Sequence, residues 1–381
     1  MATKDIWTLI STVEDPVKKP PKAGDGAEAD AAPEKPAVAA APEERDTFTL
    51  IVGPRGSGKT SLTANFRNSS KAEEIKPTTA LDYVFVRLRT AGRPAVAHMW
   101  ELASTKCVHE MIKVPLGPER ILNGALVIVL DLSAPGDVVP ALVKWLTTLY
   151  TVVQEVLKVK EKNPVEKFAV DALKQEAMAR YGSAHPDKDE VTPLPLPVLV
   201  MGNKYETFRD EDSIKRKGVT QAVRYLSHMY GASVLFTSMK DKNLVNQFRS
   251  VMKGFAFRAM ARGTSKEVDP AKPLFVPAGA DLFEDIGIPK SAGWRQDRFG
   301  KDQHEEKARQ WIKVASEYYP PSADDLLTSK EQSEQDDKDG EESPNQFPEP
   351  NIDRARQQKR EELRRYRDNQ RKARERKSRA T

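Results

Sequence analysis

From Asp46 onward the chain alternates short apolar runs with amphipathic stretches. Phe48–Val52, Tyr83–Leu88, Ala97–Leu102, Ala125–Asp131, Val198–Met201 and Val234–Thr237 read as strands, and Ala125–Asp131 is the most apolar. Val138, Leu142, Leu146, Leu149, Val153 and Val156 recur at three- or four-residue spacing, as one face of a helix requires. Leu244, Phe248, Val251, Met252 and Phe255 repeat that pattern. Strands alternating with helices predict an α/β fold, a mostly parallel sheet covered by helices on both faces.

The rest of the chain breaks this rhythm. Residues 1–16 hold a small apolar cluster, Ile6, Trp7, Leu9 and Ile10, suited either to docking on a partner or to folding back. Residues 18–45 are rich in Pro and Ala without apolar periodicity and read as a linker expected to be disordered, so 1–45 forms an N-terminal arm and linker. Within the domain at 46–262, residues 158–197 carry only weak helix signals and are expected to form an inserted surface excursion. Residues 263–321 begin as a Pro/Gly-rich extended stretch. They end in a helix with Ala308, Trp311, Ile312, Ala315 and Tyr319 on one face, stopped by Pro320, and are expected to pack back onto the domain.

Composition changes this picture at the C-terminal end. The net charge of +5 hides a segregated distribution. Residues 322–350 are acidic and polar, whereas 351–381 hold 13 Lys/Arg against five Asp/Glu. Such blocks build no core, and the tail 322–381 is expected to be disordered or helical. Glu361, Glu362, Asp368 and Glu375 interleave with the basic residues, as in a solvated single helix or a partner-binding helix. No nucleic-acid-reading module accompanies them, and nucleic-acid binding is not expected. One cysteine, Cys107, allows no intrachain disulfide and fits a reducing compartment. The longest apolar run is far short of a membrane span, so no membrane insertion is expected.

The chemistry is concentrated at strand ends. Gly53-Pro-Arg-Gly-Ser-Gly-Lys-Thr60 matches the P-loop pattern and lies between a strand and a helix. Its backbone N–H groups, at Gly53, Gly56, Ser57, Gly58 and on to Ser61, are expected to cradle phosphate at the positive end of the following helix. Lys59 should reach the β- and γ-phosphates, and Thr60 should ligate magnesium. Lys76-Pro-Thr-Thr79 resembles the first switch of Ras-like GTPases, which makes Thr78 the second magnesium ligand. Trp100-Glu-Leu-Ala-Ser104 stands where those enzymes carry D-x-x-G, with Glu101 for aspartate and Ser104 for glycine. Asn203-Lys-Tyr-Glu206 replaces the guanine-reading N-K-x-D, and Thr237-Ser-Met-Lys240 stands where an S-A-K-like loop belongs. Asn203, Lys204, Glu206, Ser238 and Lys240 would thus face the base of GTP, GDP or another nucleotide. Thr105, where a water-orienting glutamine stands in Ras-like enzymes, points with Ser104 to slow or absent hydrolysis.

These motifs, in order, resemble the light intermediate chains of cytoplasmic dynein, in particular the dynein 2 branch. The resemblance is carried by the Trp7 segment, the P-loop, Lys76-Pro-Thr78, Leu81-Asp-Tyr83, Trp100-Glu-Leu102, Leu130-Asp-Leu-Ser133 with Pro135, and Lys204-Tyr205 before Phe208. Tyr230-Gly-Ala-Ser233, Phe236-Thr-Ser238 and Lys272-Pro-Leu-Phe275 with Ala278-Gly279 complete it, to about residue 280. It implies a Ras-like P-loop NTPase fold and a non-catalytic subunit on the dynein 2 heavy-chain tail. Other dynein 2 subunits and intraflagellar transport particles would be its further partners. The implied task is retrograde intraflagellar transport and cilium assembly, in the cytoplasm, on the cytoskeleton, and in the cilium or flagellum and at its base. The alternative is a regulatory small-GTPase-like switch that binds and slowly hydrolyses GTP. Within the subunit reading, the 272–288 stretch, with Phe275, Leu282 and Phe283, and the exposed face of the 308–319 helix are expected to meet the heavy chain. The five histidines are spread along the chain without metal-ligand spacing, and no zinc site is expected.

Overall fold

A computed structural model of the chain describes residues 46–67, 76–88, 95–103, 108–258, 266–289 and 304–320, with 354, 358, 359, 362 and 365 further on. The N-terminal arm, Ser104, Thr105, Cys107 and most of the charged tail lie outside the described residues.

Seven strands form one sheet. They are β1 (Thr47–Val52), β2 (Leu81–Leu88), β3 (Ala95–Leu102), β4 (Gly124–Asp131), β5 (Val198–Asn203), β6 (Ala232–Phe236) and β7 (Phe275–Val276). Their order is β2-β3-β1-β4-β5-β6-β7, with the five inner strands parallel and the two edge strands antiparallel to their neighbours. Alternation along each inner strand sends side chains to opposite faces. Leu126, Ile128 and Leu130 thus face one layer and Val127 and Val129 the other.

The first layer holds α2 (Val108–Lys113), α3 (Pro135–Lys160), α4 (Pro164–Ala179) and α6 (Ser213–Met229), after the single turn α5 (Tyr205–Phe208). The second layer holds α1 (Lys59–Arg67) and α7 (Lys242–Ala256), through Leu62, Phe248, Val251 and Met252. α6 starts where the Asp212 carboxylate accepts from the N–H groups of Ile214 and Lys215, which caps its first turn. Its buried stripe of Val219, Ala222, Val223, Leu226 and Met229 has helical spacing and escaped the sequence reading.

Segment 158–197 differs from its expectation as a surface excursion. Val170, Leu173, Leu194 and Leu196 join the main core. Arg180 explains why the loop after α4 stays in place. Its guanidinium donates to the carbonyls of Leu194 at 3.1 Å and Pro195 at 3.0 Å, satisfying backbone that a tight loop leaves unpaired.

From Lys266 the chain lies on the domain, with Val268 packed against its core. Phe275, expected outside the sheet, is a residue of β7 whose side chain is buried on the α1/α7 side. α8 (Phe283–Ile286) follows, and the Phe283 ring lies tilted against Tyr225, 4.6 Å between centroids. α9 (His304–Tyr318) buries Ala308, Trp311, Val314 and Ala315 against α3 and α6. Tyr318 lies so close to Gly218 on α6 that a Cβ there would sit 2.8 Å from its ring. The apolar residues offered as a heavy-chain contact are therefore largely spent on seating this segment. In the tail, residues 354, 358, 359, 362 and 365 are helical, with Lys359 paired to Glu362 at 2.8 Å.

Candidate functional site

The P-loop leaves β1 at Val52 and turns into α1 at Lys59. Gly58 makes the turn at φ +90°, where a side chain is strained, and a Cβ would lie 2.3 Å from Asn203 Nδ2. That closeness lets the Asn203 amide donate to the Ser57 carbonyl at 2.9 Å, tying the end of β5 to the loop. Gly58→Ala should cost about 1–3 kcal/mol through strain and the displaced asparagine. Thermal unfolding with and without nucleotide checks this; an unchanged midpoint would contradict it.

Lys59 is buried and folds back, its ammonium donating to the carbonyls of Gly53 and Pro54 at 2.9 Å each. Burial pulls its pKa below the usual lysine value, and the nearby Glu101 carboxylate opposes the shift. Glu101 itself is 4% exposed on β3. Its Oε1 accepts from the Thr60 hydroxyl at 2.6 Å and from the Thr78 hydroxyl at 2.8 Å. The first-switch position and the P-loop are thus joined by one carboxylate oxygen. A cleft of about 540 Å³ opens beside them, lined by Arg55, Gly56, Lys59, Thr60, Thr78 and Glu101.

The other sequence-predicted residues gather at the ends of β5 and β6. Lys204 takes the left-handed conformation at φ 63° and pairs with Asp131 at 2.5 Å. Glu206 meets the exposed Lys240 at 3.4 Å. Burial by itself would raise the Glu206 carboxyl, but hydrogen bonds from Ser238, its own backbone N–H and Lys240 hold it below the usual range. Ser238 is buried, and its Oγ accepts from the Lys240 N–H at 3.1 Å. Ser61 follows Thr60, half-buried in the first turn of α1.

Among the described residues, three buried polar atoms in this constellation have no hydrogen-bond partner: Ser57 Oγ, Asn203 Oδ1 and Glu206 Oε2. A polar group left this way costs about 1–3 kcal/mol, so a polar ligand reaching these atoms would offset that cost. A nucleotide fits that description, with phosphates on the glycine loop and a base offering N–H donors to Glu206. Magnesium fits less well. The two hydroxyls that would ligate it both point at Glu101, whose extra methylene carries its oxygen between them.

A sequence model of one family, Dynein light intermediate chain (DLIC), matches residues 42–195. Cytoplasmic dynein 2 light intermediate chain 1 of Bos taurus is 30% identical over 370 residues, covering 96% of each chain. The chain belongs to the dynein light intermediate chain family. The Danio rerio dynein 2 protein is 33% identical over 344 residues, 87% of this chain and 88% of its own. Cytoplasmic dynein 1 light intermediate chain 1 of Dictyostelium discoideum is 32% identical, but over only 30% of this chain and 23% of its own. Among solved structures, the conserved domain of a dynein light intermediate chain aligns with a TM-score of 0.50 at 16% identity, over 72% of this chain and 98% of that one. That likeness concerns the fold, which is the expected Ras-like P-loop α/β fold. No helix among the described residues is long and apolar enough to cross a membrane.

One cluster lay beyond sequence reasoning in this family member. His185 and Asp187, two residues apart, bring their side chains together with the distant His228. His185 Nδ1 accepts from the Asp187 N–H at 3.2 Å, so Nε2 carries the proton that it gives to the Asp281 carbonyl at 3.0 Å. That ring therefore has no lone pair left for a metal. His228 Nε2 lies 2.9 Å from Asp187 Oδ2, and burial holds its pKa below the usual value against the pull of Asp187. The same Asp187 oxygen accepts from the Phe283 N–H at 2.8 Å. The cluster latches the loop after α4 and the C-terminal segment onto α6. Helical spacing could have exposed His228, but no local signal links it to residue 187.

Proposed function

We propose that this chain is the light intermediate chain of a dynein 2 motor, a non-catalytic subunit. It binds the heavy-chain tail and supports retrograde intraflagellar transport and cilium assembly. The observation that carries this reading is the extent of similarity. Dynein 2 relatives align along 85–96% of this chain, whereas the dynein 1 relative aligns along 30%. The P-loop domain serves as the platform. A nucleotide in the cleft stabilises that platform, satisfying Ser57, Asn203 and Glu206, and drives no hydrolytic cycle. Its partners are the heavy chain, the other dynein 2 subunits and intraflagellar transport particles. Its place is the cytoplasm and cytoskeleton, the cilium or flagellum, and the ciliary base.

The test is affinity purification of the tagged full chain from ciliated cells, with bound proteins identified by mass spectrometry. A dynein heavy chain should be recovered, and Lys59→Ala should lower nucleotide affinity at least tenfold while recovery stays within twofold. A second reading, a regulatory GTPase switch, is favoured by the docking of Thr78 beside the P-loop. Exchange factors in place of a heavy chain, with GTP turnover abolished in Lys59→Ala, would establish that reading instead.

A further inference from the structure

In P-loop GTPases a magnesium ion lies between the P-loop hydroxyl and the first switch, and the γ-phosphate keeps the switch docked. Two oxygens on one magnesium ion stand about 2.0–2.1 Å from it, so the metal needs the space between them. In this chain that space holds Glu101 Oε1, 2.6 Å from Thr60 Oγ1 and 2.8 Å from Thr78 Oγ1. Both are short, charge-assisted bonds of the stronger kind. Glu101 cannot drift away easily. It is 4% exposed, and β3 holds its backbone in register with Ile51 of β1 on one side and Asp82 of β2 on the other. The segment bearing Thr78 is also closed by the Ala103 N–H, which donates to the Ala80 carbonyl at 2.8 Å.

We infer that Glu101 is an internal clasp that replaces metal and γ-phosphate. It holds the Thr78 segment docked in every ligand state and leaves a site for a nucleoside diphosphate bound without dependence on magnesium. With Glu101 standing for the aspartate of Ras-like sites, the carboxylate charge is unchanged but moved into the metal's place, and the two positive charges of the metal are lost. A third phosphate gains nothing from such a site and is repelled by it. Lys59, beside Glu101 and the glycine loop, is a cation available to the β-phosphate. The docked segment presents the same surface whatever the nucleotide state, which suits a platform rather than a switch. The ligand half of this inference rests on the nucleotide reading given above; the clasp half does not.

The experiment uses the full chain and separates the two halves. Hydrogen exchange across residues 76–81 is followed in nucleotide-free protein with excess EDTA, for the wild type, Glu101→Ala and Thr78→Val. The last change removes only the hydroxyl at a half-buried loop position, so it keeps the fold if Glu101→Ala does not. The wild-type segment should be protected without ligand, and exchange should quicken at least tenfold in the variants while β4 and β5 stay unchanged. A wild-type segment that becomes protected only with magnesium and a triphosphate would overturn the clasp, as would equal protection in Thr78→Val. Fluorescent GDP and a non-hydrolysable GTP analogue are then titrated with magnesium or with EDTA. GDP affinity should change less than threefold between the two conditions and exceed that of the GTP analogue. Glu101→Asp, one methylene shorter, should gain at least tenfold dependence on magnesium. A wild type that needs magnesium for GDP overturns the ligand half. Absence of any nucleotide binding also overturns it, together with the nucleotide reading, while the exchange result still decides the clasp.

Discussion

Trp311→Ala should destabilise the whole domain by about 3–5 kcal/mol, lowering the melting midpoint by roughly 6–20 °C. The side chain is fully buried, 5.1 Å from the Tyr225 ring, between α9 and the layer of α3 and α6. Truncation removes its apolar contact and leaves a cavity that neighbouring helices cannot fill, because Tyr318 already presses against Gly218. Domains of this kind have only about 5–15 kcal/mol of stability, so the change consumes a large share of it. Calorimetry of the purified chain reads the effect. A shift below about 2 °C would mean that α9 sits outside the cooperative core, contrary to its packing.

Asp281→Ala should cost a comparable amount, about 3–5 kcal/mol, for an electrostatic reason. The Asp281 side chain is 3% exposed and meets Arg224 through two hydrogen bonds of 2.8 and 2.7 Å. Removing the carboxylate strands the buried guanidinium, whereas Lys266, 3.1 Å away, keeps access to water. Replacing both partners, as in Asp281→Leu with Arg224→Met, should recover much of the loss, because no uncompensated charge remains. Burial by itself would raise the Asp281 carboxyl, but Arg224 and then Lys266 outweigh it and hold it below the usual range. A folded value depressed below the unfolded one, near 3.9, stabilises the protein above that pH. The contribution is lost as pH falls through the folded value. Urea unfolding between pH 7 and pH 3 should therefore show a shallower acid loss in Asp281→Asn than in the wild type. Equal slopes would remove Asp281 from the acid response.

The amino-acid sequence by itself determined six of the seven strands, the P-loop and the order of the site motifs along the chain. These are local signals. The run Ala125–Asp131 is apolar on both faces because helices cover both sides, and the glycines with Lys59 and Thr60 fall within eight residues. The family resemblance rested on the same motifs together with the Trp7 segment and stretches as far as residue 280. What tertiary structure decided are matters of which distant residues meet. Sequence spacing gave no means of knowing that Glu101 would reach both Thr60 and Thr78, since its reach depends on the register of β3 against β1. Likewise Phe275 reads as a loose apolar residue until β7 is laid against β6, because two residues of strand carry no periodicity. The 158–197 segment looked peripheral for a similar reason. Its few apolar residues are sparse along the chain, and contacts with distant residues bring them onto the core: Arg180, the latch of His185, Asp187 and His228, and the Thr192 and Leu194 N–H groups on the Met229 and Tyr230 carbonyls. Periodicity reports which face of an element is buried; partners are fixed by the closing of the sheet and the return of the C-terminal segment, which no local pattern encodes.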